Sequence, residues 1–254
     1  MKQLLFIPFF IASLLTVGCA SNQPSKDESR GSVHLQSGVE ALHRKDYSAA
    51  LRSLYESARY TPKVPEVWSN IGVAYAGKGD VVKAEESWKK ALTLDPKYHD
   101  ARLNLGILYT RQKRYPEAER MLIEASKDLA YDKLSQVAYR RSIIYLRLNR
   151  PLLAEQQLKK SVEENRTFCP AWFRLGLIQK ERGDYVEAAE SFKGSVAGTC
   201  FKNPEAHYEI AQLYLKANEV KQARSKFLEV IQLFPSSEWA QKSEATLNAL
   251  NLSR

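Results

Sequence analysis

Small and apolar residues recur along this chain with one long period. Trp68, Ile71, Gly72, Tyr75, Ala84, Trp88, Ala91 and Pro96 set out a pattern that returns at Leu105, Gly106, Tyr109, Ala118, Leu122 and Ala125. It returns again at Trp172, Leu175, Gly176, Ala188, Phe192 and Ser195. The step is 34 residues, as from Gly72 to Gly106, and each unit predicts two antiparallel helices, A and B. Extended in both directions it gives six units: 31–64, 65–98, 99–132, 135–168, 169–202 and 204–237, with only Lys133, Leu134 and Asn203 between them. The segment SEWAQKSEATLNAL after Pro235 reads as one more amphipathic helix, a polar-faced cap over residues 238–254.

The pattern resembles the tetratricopeptide (TPR) repeat, which implies an all-α fold: a right-handed superhelical solenoid of six helix pairs plus a C-terminal capping helix. The physical basis is packing. The eighth place of each unit is small (Gly38, Gly72, Gly106, Ser142, Gly176, Ala211), and the twentieth is alanine in all six (Ala50, Ala84, Ala118, Ala154, Ala188, Ala223), so helices A and B can approach closely. Prolines agree, because they are excluded from helix interiors. Pro62, Pro65, Pro96, Pro170, Pro204 and Pro235 fall at unit boundaries, and Pro116 and Pro151 fall where a helix B begins.

The repeat also disposes of a near-miss motif. GVAYAGKGD (72–80) approaches the phosphate loop G-x-x-x-x-G-K-[ST], but it lacks the hydroxyl residue and any preceding strand. Gly72 is therefore expected to pack helices, and residues 77–80 to turn between them.

The first residues change the picture of location. MKQLLFIPFFIASLLTVGC carries one lysine, an apolar run broken by Pro8, and small residues before Cys19. It is too short for a span of about 20 apolar residues and reads as a cleavable signal peptide over 1–18. Thr16-Val17-Gly18-Cys19 resembles a bacterial lipobox, which implies cleavage before Cys19, a diacylglyceryl thioether on its sulfur and an acylated N-terminus. By the same resemblance Ala20 favours an outer-membrane, lipid-anchored location, with the repeats facing the periplasm. The alternative is a secreted protein whose cysteine falls there by chance. Residues 19–30 read as the lipidated cysteine and a flexible tether reaching roughly 20 Å.

Composition and chemistry narrow the function. The chain has 254 residues, 44% hydrophobic and 26% charged, with a net charge of +9. Its basic residues are scattered in singles and doublets, which does not favour nucleic acid. His34, His43, His99 and His207 have no partners at metal-ligand spacing, and no hydrolase, zincin or paired C-x-x-C motif occurs. No catalytic residue, metal, cofactor or small-molecule substrate is expected. Acidic pairs such as Glu85-Glu86 and Glu163-Glu164 are expected to face water. Cys169 opens helix A of the fifth unit and Cys200 follows its helix B, so the hairpin returns both to one end. A disulfide there would stabilise by roughly 3–4 kcal/mol; two separate thiols are the alternative.

In TPR domains generally, places two, five, nine, twelve and thirteen face the concave groove. Here these places include Leu103, Ile107, Tyr139, Ile143, Leu146, Phe173, Leu177 and Tyr208. Arg111, Arg147, Lys180 and Lys216 flank that apolar stripe, which suits an amphipathic or extended protein segment carrying some acidic groups. The competing reading is that neighbouring repeats bury part of the stripe.

A lipobox, a short tether and six TPRs together resemble the type IV pilus pilotin lipoproteins of the PilF, PilW and Tgl type. The likeness is most specific across RMLIEASKDLAYDKLSQVAYRRSIIYLRLNRPLLAEQQLKKSVEENR. It implies a non-enzymatic scaffold that binds a secretin subunit and assists its outer-membrane localisation and multimerisation. The alternative is a general cell-envelope adaptor, recruiting peptidoglycan hydrolases or assisting outer-membrane protein assembly.

Overall fold

The computed structural model describes residues 25–252; the signal peptide, Cys19 and the first part of the tether lie outside them, as do residues 253–254. Among the described residues there are thirteen α-helices and no strand. The six pairs are α1 (Lys26–His43) with α2 (Tyr47–Tyr60), α3 (Pro65–Gly77) with α4 (Val81–Leu94), α5 (His99–Arg111) with α6 (Tyr115–Ala125), α7 (Leu134–Arg147) with α8 (Pro151–Glu164), α9 (Cys169–Arg182) with α10 (Tyr185–Val196), and α11 (Pro204–Lys216) with α12 (Val220–Leu233). Helix α13 (Glu238–Leu252) packs on the last pair.

Each hairpin is closed by one contact repeated along the chain. A Cβ added to Gly72 would lie 2.6 Å from Trp88 Nε1, closer than real side chains come, so helix A reaches the Trp88 ring only because that carbon is missing. Sixteen residues likewise separate Gly106 from Leu122 and Gly176 from Phe192. The Trp88 indole then donates to the Ser69 carbonyl at 3.1 Å, satisfying its one polar atom in the interior. The alanines at place twenty are 0% exposed in all six repeats, leaving no room for a larger side chain.

The turn inside each pair also has one solution. Lys45, Gly79, Lys113, Asn149, Gly183 and Asn218 occupy the same place and all have positive φ. Glycine and asparagine enter this left-handed region readily, whereas a lysine there costs about 1–2 kcal/mol. Asp46 and Asp80 follow, and their side chains accept from the Ala49 and Lys83 amides at 2.9 and 3.1 Å, capping α2 and α4. Residues 77–80 are thus a helix end, a left-handed turn and a cap.

Neighbouring repeats are latched by acids on helix B. Glu85 of α4 accepts from the Tyr109 hydroxyl of α5 at 3.0 Å, and Arg114 stands 3.3 Å away. Glu119 of α6 accepts from Tyr145 of α7. Glu155 of α8 accepts from both terminal nitrogens of Arg182 at the end of α9 and pairs with Lys159 at 3.0 Å, its side chain only 6% exposed. The expectation that Glu85 simply faces water is therefore corrected: it joins two repeats, while Glu86 and the Glu163-Glu164 pair are exposed.

Helix α1 begins at Lys26, so the expected tether over 19–30 is shortened from its C-terminal side. The cause is a capping box: the Glu28 amide donates to Ser25 Oγ at 3.1 Å while Glu28 accepts from the Ser25 amide at 2.7 Å.

Replacing Gly72 by alanine is expected to force Trp88 from its seat and to destabilise by about 1–3 kcal/mol, read as a lower urea midpoint. Hydrogen bonds from Arg182 hold the Glu155 carboxyl below its ordinary value of 4.5, although burial opposes them. Its contribution is complete above that ordinary value and is lost as pH falls through the depressed folded-state value. Glu155→Gln should therefore cost about 1–2 kcal/mol at pH 7, with the difference from the native chain shrinking in acid.

Candidate functional site: the concave face

Helices A form the inner wall of the solenoid. Helix α1 touches α3, α3 touches α5 and α5 touches α7, while consecutive B helices stand farther apart. Over the first four repeats, where the A helices crowd and the B helices spread, the stack must curve toward the A side, and that side carries the apolar stripe.

The stripe is only partly open. Leu103 is 4% exposed and belongs to the interior cluster containing Leu105, Tyr109 and Val137, so its place in an open groove is corrected: it floors a recess beside Tyr98 and Ile107. The reason is the close approach of α5 to α3 and α7. Ile107, Tyr139, Ile143, Leu146, Phe173, Leu177 and Tyr208 are half-buried. Tyr139 stands edge-on to Phe168 at 5.4 Å, and Phe173 tilts against Phe192 at 5.8 Å. Tyr208 is wedged between Phe227 and Trp239 of the capping helix, at 5.6 and 5.1 Å, which closes that end of the groove.

The flanking cations divide into two groups. Lys180 is paired with Glu209, and Lys216 lies 3.9 Å from the Tyr185 ring centre and donates to its hydroxyl. Arg111 and Arg147 are exposed and have no carboxylate within ion-pair distance among the described residues. They border a pocket of about 370 Å³ between repeats three and four, together with Ile107 and Ile143. Sequence reasoning missed four further lining residues, Thr110, Lys113, Tyr115 and Arg140, of which Lys113 and Arg140 add charge. Arg140 fills place six, outside the set used to choose groove residues, but a cation within the apolar rhythm of a helix A was a readable signal. Burial lowers the Arg140 pKa from its ordinary value, and the Arg111 charge acts in the same direction.

The arrangement is suited to recognition of a partner segment. Among the described residues no three His, Cys, Asp or Glu side chains cluster as metal ligands. His34 stacks on Tyr60, His99 faces Asp128 at 3.2 Å, and His207 Nε2 lies 2.8 Å from the Phe201 carbonyl. No described helix is long and apolar enough to cross a membrane.

Comparison with known proteins agrees with this geometry. Family models described as tetratricopeptide repeats match residues 35–98 and 139–199, residues 76–136, and residues 205–237. The chain belongs to the tetratricopeptide-repeat family. It is homologous to the type IV pilus assembly protein PilF of Pseudomonas aeruginosa strain PAO1, 26% identical over 192 residues that cover 72% of this chain and 75% of PilF. A solved P. aeruginosa PilF structure superposes with a TM-score of 0.76 at 23% identity, covering 87% of this chain and all of that one. PilW, described as a widely conserved type IV pilus biogenesis factor, gives 0.70 at 22% identity, covering 84% of this chain and 97% of PilW. The chain is a TPR scaffold related to type IV pilus biogenesis factors.

In this TPR array the fifth repeat carries a covalent staple. Cys169 at the start of α9 and Cys200 in a short 3-10 helix (Gly198–Cys200) are joined by a disulfide, with Cα atoms 5.5 Å apart and a sequence separation of 31. It holds the connection 197–203 against the base of α9 and so fixes how the sixth repeat follows the fifth. Reduction, or a Cys169→Ser/Cys200→Ser double substitution, is expected to cost roughly 3–4 kcal/mol on the chain-entropy account. Urea denaturation with and without reductant measures it, and the double variant should show no response to reductant.

Proposed function

We propose that this chain is a non-enzymatic, pilotin-like lipoprotein, anchored through Cys19 in the outer membrane, whose concave TPR face holds a secretin subunit and assists its localisation and multimerisation in type IV pilus biogenesis. The observation that carries the reading is homology to PilF over most of the chain, joined to an inner face whose half-buried aromatics remain available to a partner. The lipobox-like sequence supplies the reason for the location. An anchored helical groove would keep an aggregation-prone subunit close to the membrane it must enter.

The test is a strain lacking the gene, complemented with the native chain or with Tyr139→Glu. Tyr139 is a better probe than Leu103, because a charge at the buried Leu103 would unfold the repeat. Loss of the protein should leave the secretin unassembled on an immunoblot of heat-resistant multimers and abolish twitching. Tyr139→Glu should weaken secretin capture at least ~10-fold while the circular dichroism stays helical. Normal secretin multimers in the deletion strain would overturn the reading, and altered cell shape instead would turn it toward the envelope-adaptor alternative.

A further inference from the structure

Packing alone does not explain the placement of Arg140 on the concave face. It sits in the middle of α7, so the helix dipole that favours Arg111 and Arg147 in last turns does not account for it. Its Nε is enclosed and makes no hydrogen bond among the described residues. Its guanidinium carbon lies 5.7 Å from the Tyr139 ring centre, and no carboxylate pairs with it among the described residues. Leaving a desolvated cation unpaired beside other cations is unfavourable, and folding tolerates it here.

The same pocket holds Arg111, Lys113 and Arg147, and its remaining wall includes the apolar Ile107 and Ile143. Forked guanidiniums beside apolar side chains fit a planar carboxylate borne on a hydrophobic segment. We propose that this pocket between repeats three and four receives a carboxylate of the bound polypeptide, an Asp or Glu side chain flanked by apolar residues, with Arg140 as its inner contact. The apolar stripe continues from Ile143 to Tyr139 and Leu146, so a segment entering the pocket has somewhere to lay its hydrophobic neighbours. That continuity favours a peptide over a lipid headgroup. The inference rests on the groove-binding reading of the previous subsection and adds the chemistry of the ligand.

The test presents the full-length protein with an array of 12-residue peptides carrying a central aspartate between varied apolar residues, each paired with its asparagine counterpart. Binders should prefer aspartate, and for the best pair, measured in solution by fluorescence anisotropy, Arg140→Gln should weaken the aspartate peptide about tenfold while leaving the asparagine peptide unchanged. Arg140→Lys should recover part of the loss, because it keeps charge without the fork. Without peptide, Arg140→Gln should raise the thermal midpoint by about 2–4 °C, since it removes an unpaired charge that is half-buried. Asparagine peptides binding as well as aspartate peptides would overturn this inference and spare the groove reading; no binding by either set would overturn both. A lowered midpoint for Arg140→Gln would make the residue structural and reject its role as contact. Displacement of the peptide by phosphatidylglycerol vesicles but not phosphatidylcholine vesicles would assign the pocket to an anionic headgroup instead.

Discussion

The distance between the two helices of each pair governs everything else in the molecule. Helix A carries a glycine, serine or alanine where a large buried apolar side chain of helix B stands sixteen residues later, as Trp88 does against Gly72. The buried alanines at place twenty do the same from the opposite side. Once six hairpins share this spacing, they also share their stacking geometry, and curvature accumulates with one sign. The concave face is a consequence of many identical short contacts, and no single repeat contains it.

Because the pairs are alike, the molecule's individuality lies in how they are joined. Most connections are short, as at residues 61–64, 95–98 and 165–168. Two are longer, residues 126–133 and 197–203, and each is pinned. The second has the Cys169–Cys200 disulfide. The first has a polar staple: Asp100 accepts from the Tyr131 hydroxyl at 2.6 Å and from Lys133 at 2.8 Å. A longer connection would otherwise allow the next repeat to swing, and the groove would lose its shape there. The basic pocket lies at the junction that the polar staple fixes, where α5 and α7 must keep a constant separation for Arg111 and Arg140 to face one space.

The helix pairs, their order and the capping helix were legible in the sequence because they depend on steric rules that one chain states six times over. The Gly72 to Asp80 stretch was readable as packing and turn for the same reason. Other features depend on the neighbouring repeat, which periodicity cannot describe. Leu103 was expected in the groove because its place is a groove place, and it is interior because α3 and α7 close over it. Glu85 looked solvated because its own helix offers it only the exposed Lys89, 2.7 Å away; Tyr109 and Arg114 arrive from the next hairpin. The early start of α1 had a local sign, the Ser25 to Glu28 capping box, which a tether inferred from polar composition concealed.

Where a fold is built from such consistent choices, an inconsistent one is informative. The Glu latches satisfy their charges within the chain: Glu155 with Arg182 and Lys159, Glu209 with Lys180. Against that practice Arg111, Lys113, Arg140 and Arg147 share one recess and no carboxylate of the described chain pairs with them. Two acids on α6 show that nothing in the repeat forbids pairing, since Glu117 binds Arg114 and Glu119 lies 3.8 Å from Arg141, next in sequence to Arg140. These carboxylates are spent on Arg114 and Arg141, and neither lines the recess. A scaffold that neutralised the recess internally would be more stable and would have nothing charged to offer; leaving it cationic makes the missing carboxylate a property to be supplied by whatever the groove holds.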